Sequence, residues 1–171
     1  MTRAALLLLA LVAGCRDWEK FSDAPCVADG GPAGCVAIEA CGVCLLECDA
    51  QDWDYAGAVS LCGDWGGHVA EPRTVALNEC FHETVRREVP QFFVGAIQGA
   101  GQPTPADAWT WATDGEPVDT LIWAENNPAD EDGTENDAEN CSGFTRNEAG
   151  MNDIHCEFFP TGVLCERPLP E

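Results

Sequence analysis

Residues 123–165 read WAENNPADEDGTENDAENCSGFTRNEAGMNDIHCEFFPTGVLC. The stretch holds three cysteines, an acidic segment with no basic residue between Glu125 and Glu139, and an Asn152–Asp153 pair shortly before Cys156. Carbonyl and carboxylate oxygens crowded onto a loop that disulfides tie down suit a hard cation such as Ca²⁺. No helical period is visible from Glu125 to Gly150, so this part reads as a long structured loop, a feature that in compact domains usually serves function.

Around it lies a chain of 171 residues, long enough for one ordinary domain and a short extra segment. An apolar fraction of 46%, with six Trp and seven Phe, is enough to build a core. The formal charge of −22, with eight Lys and Arg against thirty acidic residues, argues against nucleic acid and anionic membrane surfaces as partners, because both require a basic patch. A solvated acidic surface accounts for most of these carboxylates.

The N-terminus gives an expected address. Arg3 precedes an apolar run over residues 4–13, too short to span a bilayer and suited to the core of a signal peptide. The run ends in Leu11-Val12-Ala13-Gly14-Cys15, which resembles a bacterial lipobox, with lipid attached to Cys15 and cleavage just before it. The plainer alternative is an ordinary cleaved signal with Cys15 free or disulfide-bonded. The lipobox reading expects an exported protein, lipid-anchored at the bacterial cell envelope (outer membrane or cell surface), with residues 1–14 as signal peptide.

Cysteine arithmetic agrees. Eleven cysteines less a lipidated Cys15 leave ten, an even number, as disulfides in an oxidising compartment require. Cys41-x₂-Cys44-x₃-Cys48 could form half a zinc or iron–sulfur site, but no second half with histidines follows. Residues 15–40 carry Pro and Gly breakers and no periodic run, and read as a stapled stalk ahead of a domain over 41–168, with 169–171 as a tail.

Within that domain, residues 44–48 read as a short strand. Tyr55, Ala58, Val59 and Cys62 fall at i, i+3, i+4 and i+7, a helical stripe that Asp52 or Asp54 can cap. A second helix is expected over about residues 73–88, its inner face Leu77, Phe81, Thr84 and Val85, with Pro90 as the stop. Residues 92–97 form a buried strand by length and content. Trp109-Thr110-Trp111 alternates as a half-buried strand does, Asp114-Gly115 marks a turn, and residues 162–165 close with a strand.

These signatures, in this order, resemble a C-type lectin-like domain. Tyr55-x₂-Ala58-x₃-Cys62-x₃-Gly66-Gly67-x-Val69-Ala70 is similar to the family's first-helix pattern, with Tyr55 where Trp is usual. Phe93-Val94-Gly95-Ala96, Trp109-x-Trp111, Trp123, Pro128, Glu139-Asn140-Cys141, Met151-Asn152-Asp153 and Cys165 follow at the family's intervals, so the resemblance covers roughly residues 41–168. It implies an α+β fold, two helices flanking short antiparallel sheets with a long structured loop. It also implies the disulfides Cys62–Cys165 and Cys141–Cys156. Cys26, Cys35, Cys41, Cys44, Cys48 and Cys80 keep their fifteen possible pairings open.

The resemblance further implies a Ca²⁺ site at positions Asn127, Ala129, Glu139, Asn152 and Asp153. Asn127, Glu139, Asn152 and Asp153 can offer oxygens there, to the metal and to a bound sugar; Ala129 has no side-chain oxygen. The shell needs Asp130, Glu131 or water to fill in. The departure at Ala129 also removes the family's sugar-preference signatures. Enzymatic readings fail, since the three serines (22, 60 and 142) lie in no Gly-x-Ser-x-Gly elbow. Two functions follow from the likeness: a surface-anchored Ca²⁺-dependent carbohydrate-binding module, or a protein-binding, adhesive domain in which calcium is structural or absent. Partners are accordingly a carbohydrate, or a surface protein or glycoprotein.

Overall fold

Strand β4 (Gln91–Gln98), QFFVGAIQ, is apolar on both of its alternating faces, and the sheet around it is buried on both sides. The computed structural model describes residues 26, 33–51, 53–85, 89–145, 148–157 and 161–169; the expected signal segment and Cys15 lie outside them. In chain order the elements are β1 (Cys35–Ala40), β2 (Val43–Gln51), α1 (Tyr55–Asp64), β3 (His68–Val69), α2 (Val75–Thr84) and β4. After these come β5 (Trp109–Trp111), a 3₁₀ turn (Thr120–Ile122), a single helical turn α3 (Asp130–Gly133), β6 (Cys141–Thr145), β7 (Met151–Ile154) and β8 (Thr161–Pro168).

The strands form one sheet in the order β1-β2-β8-β4-β6-β7, with β3 added on β8 and β5 on β4. Neighbours run antiparallel except β4 and β8, which run parallel. Strand alternation sorts the core. Leu45, Phe92, Val94, Phe144 and Leu164 pack on one face with Phe81 of α2, Trp109, Trp111, Ile122 and Met151. Leu46, Phe93, Val163 and Cys165 pack on the other with Ala58, Leu61 and Cys62 of α1.

The α+β fold and both implied disulfides, Cys62–Cys165 and Cys141–Cys156, are present. Closing loops of 103 and 15 residues, they are worth about 4.7 and about 3 kcal/mol in the chain-entropy account. The open pairings resolve as Cys26–Cys44, Cys35–Cys48 and Cys41–Cys80. Cys35 and Cys48 face each other directly across β1 and β2.

Local expectations are corrected in places. The stalk expected to run to residue 40 ends sooner, because Cys35–Ala40 is the edge strand β1, all six residues paired to β2. Helix α1 starts where the stripe predicts, its first turn capped by Asp54, whose Oδ1 accepts the Gly57 N–H at 2.6 Å. Helix α2 is shorter than 73–88: Thr74 caps it through the Leu77 N–H, and the chain leaves helical geometry at Val85. The stretch 125–150 is less irregular than it reads, holding α3 and β6. Met151, of the Met151-Asn152-Asp153 signature, is fully buried.

A polar node pins β3 to its surroundings. Glu71 is 2% exposed; its Oε1 accepts the Thr113 N–H at 2.9 Å, and its Oε2 accepts from the Thr113 hydroxyl at 2.8 Å and pairs with the Arg73 guanidinium. Arg73 also pairs with Asp114 at 2.8 Å. The Glu71 N–H donates in turn to Glu166 Oε1 at 3.1 Å, with His68 Nε2 lying 3.7 Å from the same oxygen. A Cβ on Gly95 would meet Glu71 Cγ at 2.6 Å and the Val69 carbonyl at 2.9 Å, so β4 crosses this node only as glycine.

Burial raises the Glu166 carboxyl pKa above its ordinary value, with the Glu71 N–H and His68 pulling the other way. A raised folded-state pKa gives stability that is present below the unfolded carboxyl's pKa, about 4.3, and is lost as pH rises through the folded value. Glu166→Gln, which keeps an acceptor for the Glu71 N–H, is therefore expected to gain stability relative to the native chain between pH 4 and 7. Denaturant midpoints at the two pH values check this, and a difference independent of pH would refute it.

Candidate functional site

The expected site residues fall on two elements and the loop between β5 and β6. Asn152 and Asp153 lie on β7, which pairs with β6 through Gly143↔Asn152 and Ser142↔Asp153. The loop is held against β7 by the Ala124 N–H, which donates to the Met151 carbonyl at 2.8 Å. Gly150 keeps this approach open, since a Cβ there would meet the Ala124 nitrogen at 2.6 Å. From Ala124 the chain turns at Asn127, whose N–H donates to the Ala124 carbonyl at 3.1 Å, and passes a cis Asn127–Pro128 peptide into α3.

At α3 the site departs from its expected form. Asp153, 2% exposed, accepts two amides on one oxygen: Oδ2 takes the Ala129 N–H at 2.7 Å and the Asp130 N–H at 2.6 Å. Asp130, also 2% exposed, sits at φ +46, a conformation Asp tolerates better than most side chains. Its carboxylate takes two amides as well, Oδ1 from Glu139 at 3.1 Å and Oδ2 from Asn136. Burial raises the Asp153 pKa, opposed by the hydrogen bonds from Asp130 and Ala129 and reinforced by the neighbouring Asp130 charge.

Of the residues expected to share a cation, the structure thus joins Asp130, Asp153 and the backbone of Glu139 in one hydrogen-bonded cluster. Asn127 and Asn152 are half-buried beside it, and the Glu131 side chain lies outside the described residues. Ca²⁺ requires about six to eight oxygens turned toward one point. Here Ala129 brings an N–H instead of an oxygen, and the buried carboxylates face backbone donors. Among the described residues no group of three or more His, Cys, Asp or Glu side chains is arranged to hold a metal. The donor set, as folded, does not fit calcium.

The sequence offers Asp130 only as a filler for the cation shell, and its role as amide acceptor has no sequence signal. Ser142 likewise carries no sequence signal for its structural role: its buried hydroxyl accepts the Ala96 N–H at 3.1 Å and donates to the Ala96 carbonyl at 2.8 Å. It fills the register shift between Val94 and Ile97 where β4 meets β6.

Losing the Asp153 carboxylate would orphan two amides, and hydrogen bonds to charged groups are worth about 1.5–3 kcal/mol. Asp153→Ala is therefore expected to cost about 2–3 kcal/mol, against about 0.5 kcal/mol or less for Asn152→Ala. Urea denaturation measures both, and equal costs would contradict the assignment.

A family model described as "Lectin C-type domain" matches residues 51–167. No curated protein matches the chain. Among solved structures, the mouse scavenger receptor C-type lectin carbohydrate-recognition domain superposes with a TM-score of 0.60 at 20% identity, covering 82% of this chain and 99% of that one. The carbohydrate-recognition domain of cow CD23, solved in the presence of GlcNAc2Man3 oligosaccharide, gives 0.56 at 16%, covering 80% and 95%. A calcium-independent type II antifreeze protein gives 0.57 at 22%, covering 80% and 93%. Identities this low carry the fold alone. With the family model spanning most of its length, and with this topology and these disulfides, the chain belongs to the C-type lectin domain family.

Proposed function

We propose that the chain is a recognition module that binds a protein or glycoprotein surface through the loop between β5 and β6, with no cation required at the loop. C-type lectin domains are generally binding modules and not enzymes. The observation that carries this reading is the orientation of Asp130 and Asp153. Both carboxylates are turned inward onto backbone amides, while Glu125, Asn126, Thr134, Asn136 and Asp137 remain on the exposed side. That surface is polar and acidic, and suits a partner with a complementary basic face.

The second reading keeps Ca²⁺-dependent carbohydrate binding. It is supported by the half-buried, oxygen-bearing Asn127, Glu139 and Asn152 flanking the carboxylate cluster, and it requires Asp153 to exchange its amides for the metal. A glycan array read in millimolar calcium and in EGTA, beside binding to target cells with and without surface proteolysis, separates the two. Binding that survives EGTA and is lost on proteolysis is expected. Calcium-dependent glycan signals would overturn the first reading in favour of the second.

We further propose export and lipid anchoring at Cys15, in the envelope of a bacterium. The signal-like N-terminus and five disulfides, which persist in oxidising compartments, support it. Cys15→Ser is expected to abolish incorporation of labelled fatty acid and to release the chain from membranes; retained label would sink the anchor.

A further inference from the structure

We propose that Asp153 and Asp130 form a two-step carboxylate clasp that orders the long loop in place of a divalent cation. The disagreement between the family's donor positions and the folded site carries the inference. In the first step, Asp153 on β7 gathers the Ala129 and Asp130 N–H groups on Oδ2, fixing the start of α3 against the sheet. In the second, Asp130, once placed, gathers the N–H groups of Asn136 and Glu139 and folds the rest of the loop back toward β6. Four amides that belong to no strand or regular helix ladder are thereby satisfied by two side chains.

The substitution is consistent at each position. A cation holds a loop by drawing oxygens toward one charge; here the charge is the carboxylate, and the groups drawn in are N–H donors. Ala129, which cannot ligate a metal, is used through its backbone. Both carboxylates are 2% exposed, and buried carboxylates at such positions are tolerated when hydrogen bonds satisfy them. The order of the steps follows from connectivity: the Asp130 N–H is held by Asp153, so Asp130 can grip residues 136 and 139 only from a position Asp153 has set. Asp153 and Asp130 are positioning residues for the loop. The clasp rests on the same inward carboxylates as the proposed cation-free reading. Hydrogen exchange, however, reads the order of the loop and not its ligand, so the clasp can stand where the proposed partner fails.

The test is amide hydrogen exchange on the full chain, resolved at residues 129, 130, 136 and 139, in EGTA and in millimolar calcium. A cation ordering the loop would multiply protection by about 1 + [Ca²⁺]/Kd, roughly a hundredfold at a hundredfold excess over Kd. The clasp predicts full protection in EGTA and a change of less than about threefold on adding calcium; any larger rise overturns it. Asp130→Ala is expected to speed exchange at 136 and 139 by about tenfold or more while sparing 129 and 130. Asp153→Ala is expected to release all four. Should Asp153→Ala fail to fold, Asp130→Ala still decides, because uniform loosening or no loosening in that variant contradicts the two-step order. Asn152→Ala, which removes an oxygen from the calcium set and leaves the clasp intact, should leave all four amides protected; faster exchange there would count against the clasp.

Discussion

Burial of one sheet on both faces is the constraint from which the rest of the structure follows. A sheet with a solvent face can finish its core with one layer; this one cannot, because Phe92 and Phe93 point to opposite sides. Helix α1 must cover one face and α2 with the β5 region the other. With both faces taken, residues 125–140 have no layer to join and run as a loop around the single turn α3. The loop can be irregular only if its backbone donors are satisfied elsewhere.

In this chain the satisfaction comes largely from carboxylates. Asp153 and Asp130 serve the long loop, Glu71 serves Thr113, and Glu166 serves Glu71. Asp54, Asp114, Asp119 and Asp137 accept amides at Gly57, Glu116, Leu121 and Gly101. Composition alone suggests a solvated acidic coat. Much of the acid in fact works against backbone donors at turns and helix starts, where a short side chain with up to four lone pairs is an efficient acceptor. That use explains how a chain at −22 can bury several carboxylates without a matching set of bases.

What could be read from the sequence followed from period and punctuation. The Tyr55–Cys62 stripe with Asp54 behind it identified α1, and the run at 92–97 identified β4, because both have lengths and apolar contents that few alternatives share. Strand β1 was hidden by the Gly-Gly and Gly-Pro breakers just before it, and β6 by a Gly and a Ser whose presence is explained by contacts with β4 and β7. The family likeness names Asp153 and Glu139 as ligands of one cation; in the structure Asp130 stands between them, donating its N–H to Asp153 and accepting the Glu139 N–H. The likeness could not show what the Asp153 oxygens face, since that depends on Ala129 and Asp130 turning their amides inward, with Asp130 at a positive φ.

The strand order also has a mechanical side. β1 and β7 stand at opposite ends of a six-strand path, about 24 Å apart at the usual spacing of about 4.8 Å. Tension entering the domain from its N-terminal side and leaving through the loop clasped to β7 would run across the strands, the direction in which sheets are peeled most easily. The bond between Cys26 and Cys44 diverts that load. Force arriving at residue 26 passes by covalent bonds straight into β2 and bypasses the β1 hairpin, which Cys35–Cys48 separately stitches shut. The edge strand is thus shielded from traction.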